Sequence, residues 1–209
     1  MPIGSPKNRL IEMGRDSEAT RQRILEAATD EFAEHGIAGA RVDRIATAAS
    51  SNKQLIYQYF GNKDGLFRAV LARELAKAIE GVDFPLDDLE RYAGAYFDFA
   101  MAQPRLMRLV AWCGLEVEGA IEGVPTPESK IARVSALQRS GKVSDRFSPE
   151  FILSTISSVC TAWVPSNWYA SQLDPDAARH AARYRESIVR LIGLMIHPDA
   201  EPSPTASEG

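Results

Sequence analysis

Apolar residues in this chain recur three and four positions apart almost everywhere between residues 17 and 197, and no convincing run alternates apolar with polar residues. The first spacing lines one face of a helix, whereas a half-buried strand needs a period of two. The expected fold class is therefore all-α, with about nine helices and no internal repeat of fixed period. Outside that core, residues 1–16 carry Pro2, Gly4, Ser5, Pro6 and Lys7 with little periodicity and read as a flexible arm, and residues 198–209 read as a disordered tail.

Helix boundaries follow from local chemistry. Ser17 is the expected N-cap of a first helix carrying Ile24, Leu25, Ala28 and Phe32, with Gly36 as its C-terminal glycine. Val42, Ile45, Ala46 and Ala49 make a short second helix. The third opens at Asn52, turns Ile56 and Phe60 inward and leaves Lys53, Gln54, Tyr57 and Gln58 outside. A fourth opens at Asn62 and buries Leu66, Phe67, Val70, Leu71, Leu75 and Ile79. After a break at 81–85, Asp87 or its neighbour opens a helix to Ala102, and Pro104 starts another through Glu118. Beyond the loop 119–127, helices are expected from Thr126–Pro127 to Gly141, from Ser148–Pro149 to a stop or kink at Pro165, and from Asp174–Pro175 to Ile196. Domain limits of 17–63 for a small head and 64–197 for a larger body follow.

The formal net charge of −4 argues against blanket attachment to nucleic acid or an anionic membrane, so any DNA contact must use a local basic surface. Between Arg41 and Arg68 the bases Arg41, Arg44, Lys53, Lys63 and Arg68 face just two acids, Asp43 and Asp64. Cys113 and Cys160 lie within apolar helical patterns, a usage that suits free thiols in a reducing cytoplasm. His35, His180 and His197 share no metal-ligand spacing, so no metal or cofactor is expected. No segment has the length and apolarity of a signal peptide or membrane span, and no nucleophile elbow, phosphate loop or dinucleotide fingerprint can be read. An enzyme is not expected.

Two short helices with a brief turn at Ser50–Ser51, the second presenting polar and basic residues outward, describe a helix-turn-helix. Thr20 through Ala28, Phe32, Gly36, Val42, Ile45–Ala46, Ala49, Leu55 through Phe60, Asn62–Lys63–Asp64 and Leu66 together resemble the signature of the TetR family of transcriptional regulators. The resemblance covers residues 17–70 and implies a DNA-binding head on a helical body that binds effectors and dimerises. It implies base contacts for Lys53 and Gln54 and phosphate contacts for Tyr57, Tyr59 and Lys63, with Arg41 adding a phosphate or base contact. The chemistry agrees: a Gln amide can pair bidentately with adenine, Lys can donate to guanine, and hydroxyls and ammonium groups can donate to phosphate. One tyrosine of the pair is expected to be partly packed. The family's usual glycine and apolar residue in the turn are Ser50 and Ser51 here, so Ser50 is expected to bear any left-handed conformation, and Leu55 stands where a small residue is common.

In the body, Tyr92, Phe97, Met101, Trp112, Trp163, Trp168 and Tyr169 form an aromatic and apolar set that can line a ligand cavity, with Glu116 as the orienting carboxylate, although such stripes are more often core. The helix from Pro149 and the final helix are expected to pair with their twofold copies, giving a homodimer on a palindromic operator released by a small apolar or amphipathic effector. The competing reading is a helical ligand-binding or small-molecule-transforming protein whose head does not bind DNA.

Overall fold

The computed structural model describes residues 6–80, 84–122, 124 and 127–197. Among them are ten helices and no strand: α1 (Pro6–Gly39), α2 (Val42–Ala48), α3 (Lys53–Phe60), α4 (Lys63–Ile79), α5 (Leu89–Ala102), α6 (Pro104–Glu116), α7 (Glu128–Arg139), α8 (Pro149–Thr161), α9 (Trp168–Leu173) and α10 (Ala181–Ile196). Two compact units emerge, one of Met1–Glu80 with Arg108–Val124 and one of Gly81–Met107 with Pro125–Gly209. The head thus extends past the expected limit at residue 63 and takes in α4, because Leu66, Phe67, Val70 and Leu71 are buried there and Phe67 meets Phe32 of α1 edge-on at 5.2 Å. Among the described residues no helix is long and apolar enough to cross a membrane.

In the head unit the inward stripe of α1, Ile24, Leu25, Ala28 and Phe32, is buried as its spacing requires. Its start differs from expectation. The helical backbone runs from Pro6, so Ser17 lies inside the helix and caps nothing; residues 1–5 of the expected arm and the tail 198–209 lie outside the described residues. Gly36 does break the helix, at φ 69° and ψ −179°, with a further turn resuming to Gly39. Only glycine suits that site, since a Cβ there would also sit 2.9 Å from the Trp112 ring. Asn52 and Asn62 cap α3 and α4, accepting from the N–H groups of Leu55 at 2.9 Å and Gly65 at 2.7 Å.

In the other unit α5, α7, α8 and α10 enclose a core of Leu89, Tyr92, Phe97, Val134, Leu137, Ile152, Ile156, Cys160, Ile188 and Ile192. Helices α5 and α10 run antiparallel with glycines under each other's long side chains: a Cβ on Gly94 would lie 2.6 Å from the Arg185 guanidinium, and one on Gly193 2.6 Å from the Glu90 carboxylate. Asp88 caps α5 and Ser148 caps α8, as the sequence suggests, whereas Thr126 lies outside the described residues and α7 begins after Pro127. Helix α8 stops at Thr161, before Pro165, and the unexpected tenth helix is α9. The last helix starts at Ala181, not at Pro175. The Asp174 carboxylate explains the delay, since it collects the Asp176 N–H (3.0 Å), the His180 ring (2.7 Å) and the Tyr184 hydroxyl (2.7 Å) and so pins a turn in place of helix. The same bonds, His180 first and Tyr184 second, hold Asp174 below the usual carboxylate range.

Two glycines in helices should respond oppositely to a methyl group. A Cβ on Gly65 would stand 2.2 Å from the Phe60 carbonyl oxygen, whereas exposed Gly114 has nothing within 4 Å. Gly65→Ala is expected to destabilise the protein by about 2 kcal/mol or more and Gly114→Ala to stabilise it by about 0.5–1 kcal/mol, as read from urea unfolding midpoints.

Candidate functional site

The short helix α3 is held from within. Ile56 is fully buried, and one turn on Phe60 receives the Arg21 guanidinium 5.5 Å from its ring centroid. With that side fixed, helical geometry sends Lys53, Gln54 and Tyr57 outward, and all three are exposed, Tyr57 at 44%. Tyr59 is the packed member of the tyrosine pair: its hydroxyl shares a 2.7 Å hydrogen bond with Ser17 Oγ and donates to the Ser17 carbonyl at 3.3 Å. Its hydroxyl is thereby committed to α1, a use that a phosphate contact would have to replace or share.

Helix α2 is positioned by a residue that sequence reasoning passed over. Glu31, on α1 and 10% exposed in its side chain, accepts the Arg41 N–H at 2.7 Å and the Arg44 guanidinium at 2.6 and 2.9 Å. From another helix it satisfies the N–H of the N-cap residue Arg41, whose own side chain makes no capping bond. Burial works to raise its pKa, but the Arg44 and Arg41 hydrogen bonds and the Arg44 charge outweigh burial and hold the carboxyl below its ordinary value. The basic surface is correspondingly smaller than the residue count of that segment. Arg44 is spent on Glu31, Arg68 pairs with Asp64 at 2.7 Å, and Lys53 with Asp43 at 2.6 Å. Lys63 donates to the carbonyls of Ala38 (3.2 Å) and Ala40 (3.3 Å), satisfying the frayed end of α1 and keeping one N–H for another acceptor. Pairs as exposed as Lys53–Asp43 are worth about 0–1 kcal/mol, so Lys53 can exchange its partner for a base edge at little cost.

The turn between α2 and α3 has Ser50 at φ 48°, the sole positive φ on a residue other than glycine among the described residues. The turn is closed by Ser50 N–H to Thr47 O at 3.1 Å and Ser51 N–H to Ala46 O at 2.9 Å.

The expected ligand set is not brought together. Trp112 lies beneath Gly36, and Glu116 accepts the Ala38 N–H at 2.9 Å, so both serve the head unit. The two lie one turn apart on α6, but α6 runs from one unit into the other, and helical spacing cannot show which unit a residue ends in. Trp168 is 74% exposed and Tyr169 is exposed as well. Phe97 is core, Met101 packs against that core, and Trp163 stacks on Tyr184 at 3.7 Å. Of the set, Tyr92 alone lines the body's cavity, a space of about 400 Å³ bounded by Tyr92, Tyr96, Pro127, Lys130, Ile131, Glu150, Leu153, Ser154 and Ser157. Tyr96, one turn after Tyr92, could have been found from its helical spacing. Lys130, Glu150 and Ser157 carry no such signal, because polar residues on α7 and α8 read as a solvated face. Cys160 is buried and donates to the Ala93 carbonyl, and burial pushes its thiol up to about 12; Cys113 is half-buried, and both are free thiols. Among the described residues no cluster of His, Cys, Asp and Glu is arranged to hold a metal ion.

The head matches the family model described as bacterial regulatory proteins, tetR family, over residues 24–70. The body matches the tetracyclin repressor-like C-terminal domain over residues 88–193. The chain belongs to the TetR family. Its helix-turn-helix is that of a DNA-binding transcriptional regulator. Among relatives, the HTH-type transcriptional repressor SCO4008 of Streptomyces coelicolor is 44% identical over 136 residues, 63% of this chain and 71% of that protein. Among solved structures, the putative transcriptional regulator SCO4942 of Streptomyces coelicolor is 35% identical with a TM-score of 0.70, covering 85% of this chain and 98% of that one. A more distant TetR-like fold is the transcriptional regulator FadR of Bacillus subtilis in complex with stearoyl-CoA, 18% identical with a TM-score of 0.55 over 81% of this chain and 97% of that one.

The left-handed serine makes this TetR-family turn separately testable. Ser50→Gly is expected to raise stability by about 1 kcal/mol and Ser50→Val to lower it, since a β-branched residue tolerates positive φ worst; thermal melting reads both.

Proposed function

We propose that the protein is a repressor that grips a palindromic operator as a homodimer and is released by a small amphipathic effector. The outward face of α3, with Lys53, Gln54 and Tyr57 exposed above buried Ile56, carries the reading. Such a helix fits the major groove, with Gln54 pairing to adenine, Lys53 to guanine and Tyr57 to phosphate, while Arg41 and the remaining N–H of Lys63 add backbone contacts and Tyr59 does so through its shared hydroxyl. Dimerisation uses α8 and α10: Phe151, Leu191 and Leu194 are exposed apolar residues on these helices, and covering them with a second copy removes them from water. The cavity of about 400 Å³ supports an effector site. An effector that prefers a conformer with misfitting head spacing shifts the population, and full reversal needs a preference of up to about 5.5 kcal/mol. The protein acts by binding, with no catalytic step, and works in the cytoplasm beside its operator.

Selection of bound sequences from random DNA tests the whole reading. A recovered inverted repeat with half-sites about one helical turn or more apart is expected, and a lone half-site or no enrichment overturns it. On the recovered site, Gln54→Ala is expected to lose about 1–3 kcal/mol while leaving random DNA unaffected, and Lys63→Ala to weaken both and lower the salt slope by about one. Equal losses on both DNAs for Gln54→Ala would remove its base-reading role.

A further inference from the structure

The polar lining of the cavity in the body combines one ammonium, Lys130, with the hydroxyls of Tyr92, Tyr96, Ser154 and Ser157. Lys130 Nζ donates to the Tyr92 hydroxyl at 3.2 Å and stands 5.6 Å from the centroid of that ring, and no described carboxylate pairs with it. Its bond to Tyr92 uses one of three ammonium N–H groups. Burial, with a smaller contribution from Cys160, pushes the Tyr92 phenol up to about 12, so the hydroxyl keeps its proton. Since its oxygen already accepts from Lys130, that proton is left to donate. Tyr96 and Ser157 share a single 3.3 Å hydrogen bond between two hydroxyls, which leaves a further O–H free. Ile131 and Leu153 supply apolar wall between these groups.

Among the described residues, Glu150 is the one carboxylate that lines the cavity. It is exposed and lies in the first turn of α8, where the helix dipole favours its charge without any ligand. Lys130 is different: it is partly buried, and its one hydrogen-bond partner is neutral. A partly buried lysine whose one hydrogen-bond partner among the described residues is neutral gains most from an acceptor that is itself charged.

We propose that this cavity takes an amphipathic monocarboxylate, whose carboxylate pairs with Lys130 and the Tyr92 hydroxyl while its alkyl or aromatic body lies against Ile131 and Leu153. The proposal rests on the reading of the body as an effector-binding module and names the chemistry of its ligand. The charge it needs is opposite in sign to the carboxylate, Glu116, that the sequence suggested as the orienting group.

The test is calorimetric titration of the full-length protein with decanoate and 3-phenylpropionate, beside their neutral amides and the corresponding primary amines. Carboxylates are expected to bind at least about tenfold more tightly than amides. Lys130→Met should erase that gap, Lys130→Arg should keep it, and Tyr92→Phe, which retains the ring, should narrow it; circular dichroism of each variant reports its fold. Amides or amines binding as well as carboxylates would overturn the proposal, as would a preference that survives Lys130→Met, or no binding of any probe by the wild type at millimolar concentration. Adding the same ligands to the protein–DNA complex separates the two readings. Carboxylates that bind through Lys130 yet release no DNA leave the site standing and remove its effector role, whereas DNA released by an amide as readily as by a carboxylate does the reverse.

Discussion

The interlock of four helices around Phe32, Ile56 and Phe67 is the constraint from which the DNA-reading surface follows. Burying Ile56 fixes the rotation of α3, and a helix whose rotation is fixed has no choice about which side chains it shows to solvent. The roughly 1.5–3 kcal/mol gained per buried large side chain is spent on orientation as much as on stability. A recognition helix of eight residues would be marginal alone, so its shape is borrowed from the packing beneath it.

Charge is organised in the same way. The head has basic residues on α2, α3 and α4, yet most are partnered, and the partners come from different elements: Glu31 from α1 for Arg44, Asp43 from α2 for Lys53, and backbone carbonyls for Lys63. The Glu31 carboxylate is nearly covered and takes several hydrogen bonds from the half-exposed Arg44, and the pair locks α2 to α1. The Lys53 pair is exposed and exchangeable. Breaking the exposed pair costs little, about 0–1 kcal/mol, whereas the Glu31 contacts keep α2 in place beneath α3.

In the body, close helix packing and the cavity coexist because different faces of α5 do different work. Gly94 lets α10 approach closely, with Arg185 laid across it and bonded to Asp98, while Tyr92 and Tyr96 border the space lined by α7 and α8. The aromatic residues split accordingly: Phe97 fills the core, Trp163 stacks on Tyr184, and only the two tyrosines reach the cavity with hydroxyls.

Helix class, the asparagine caps of α3 and α4, the break at Gly36 and the outward residues of α3 were all legible in the sequence, because each depends on neighbours within about one helical turn. The left-handed serine at position 50 followed from the resemblance to the family, which usually has glycine there, and not from local spacing. Tertiary structure alone decided that Ser17 binds Tyr59 instead of capping a helix, that Asp174 pins a turn, that Glu31 takes the Arg41 N–H at the start of α2, and that Trp112 and Glu116 support the head. It also decided that Lys130 faces a cavity. Periodicity reports which residues share a face, but which neighbour that face meets is set by chain segments tens of residues away, and no local pattern carries that information.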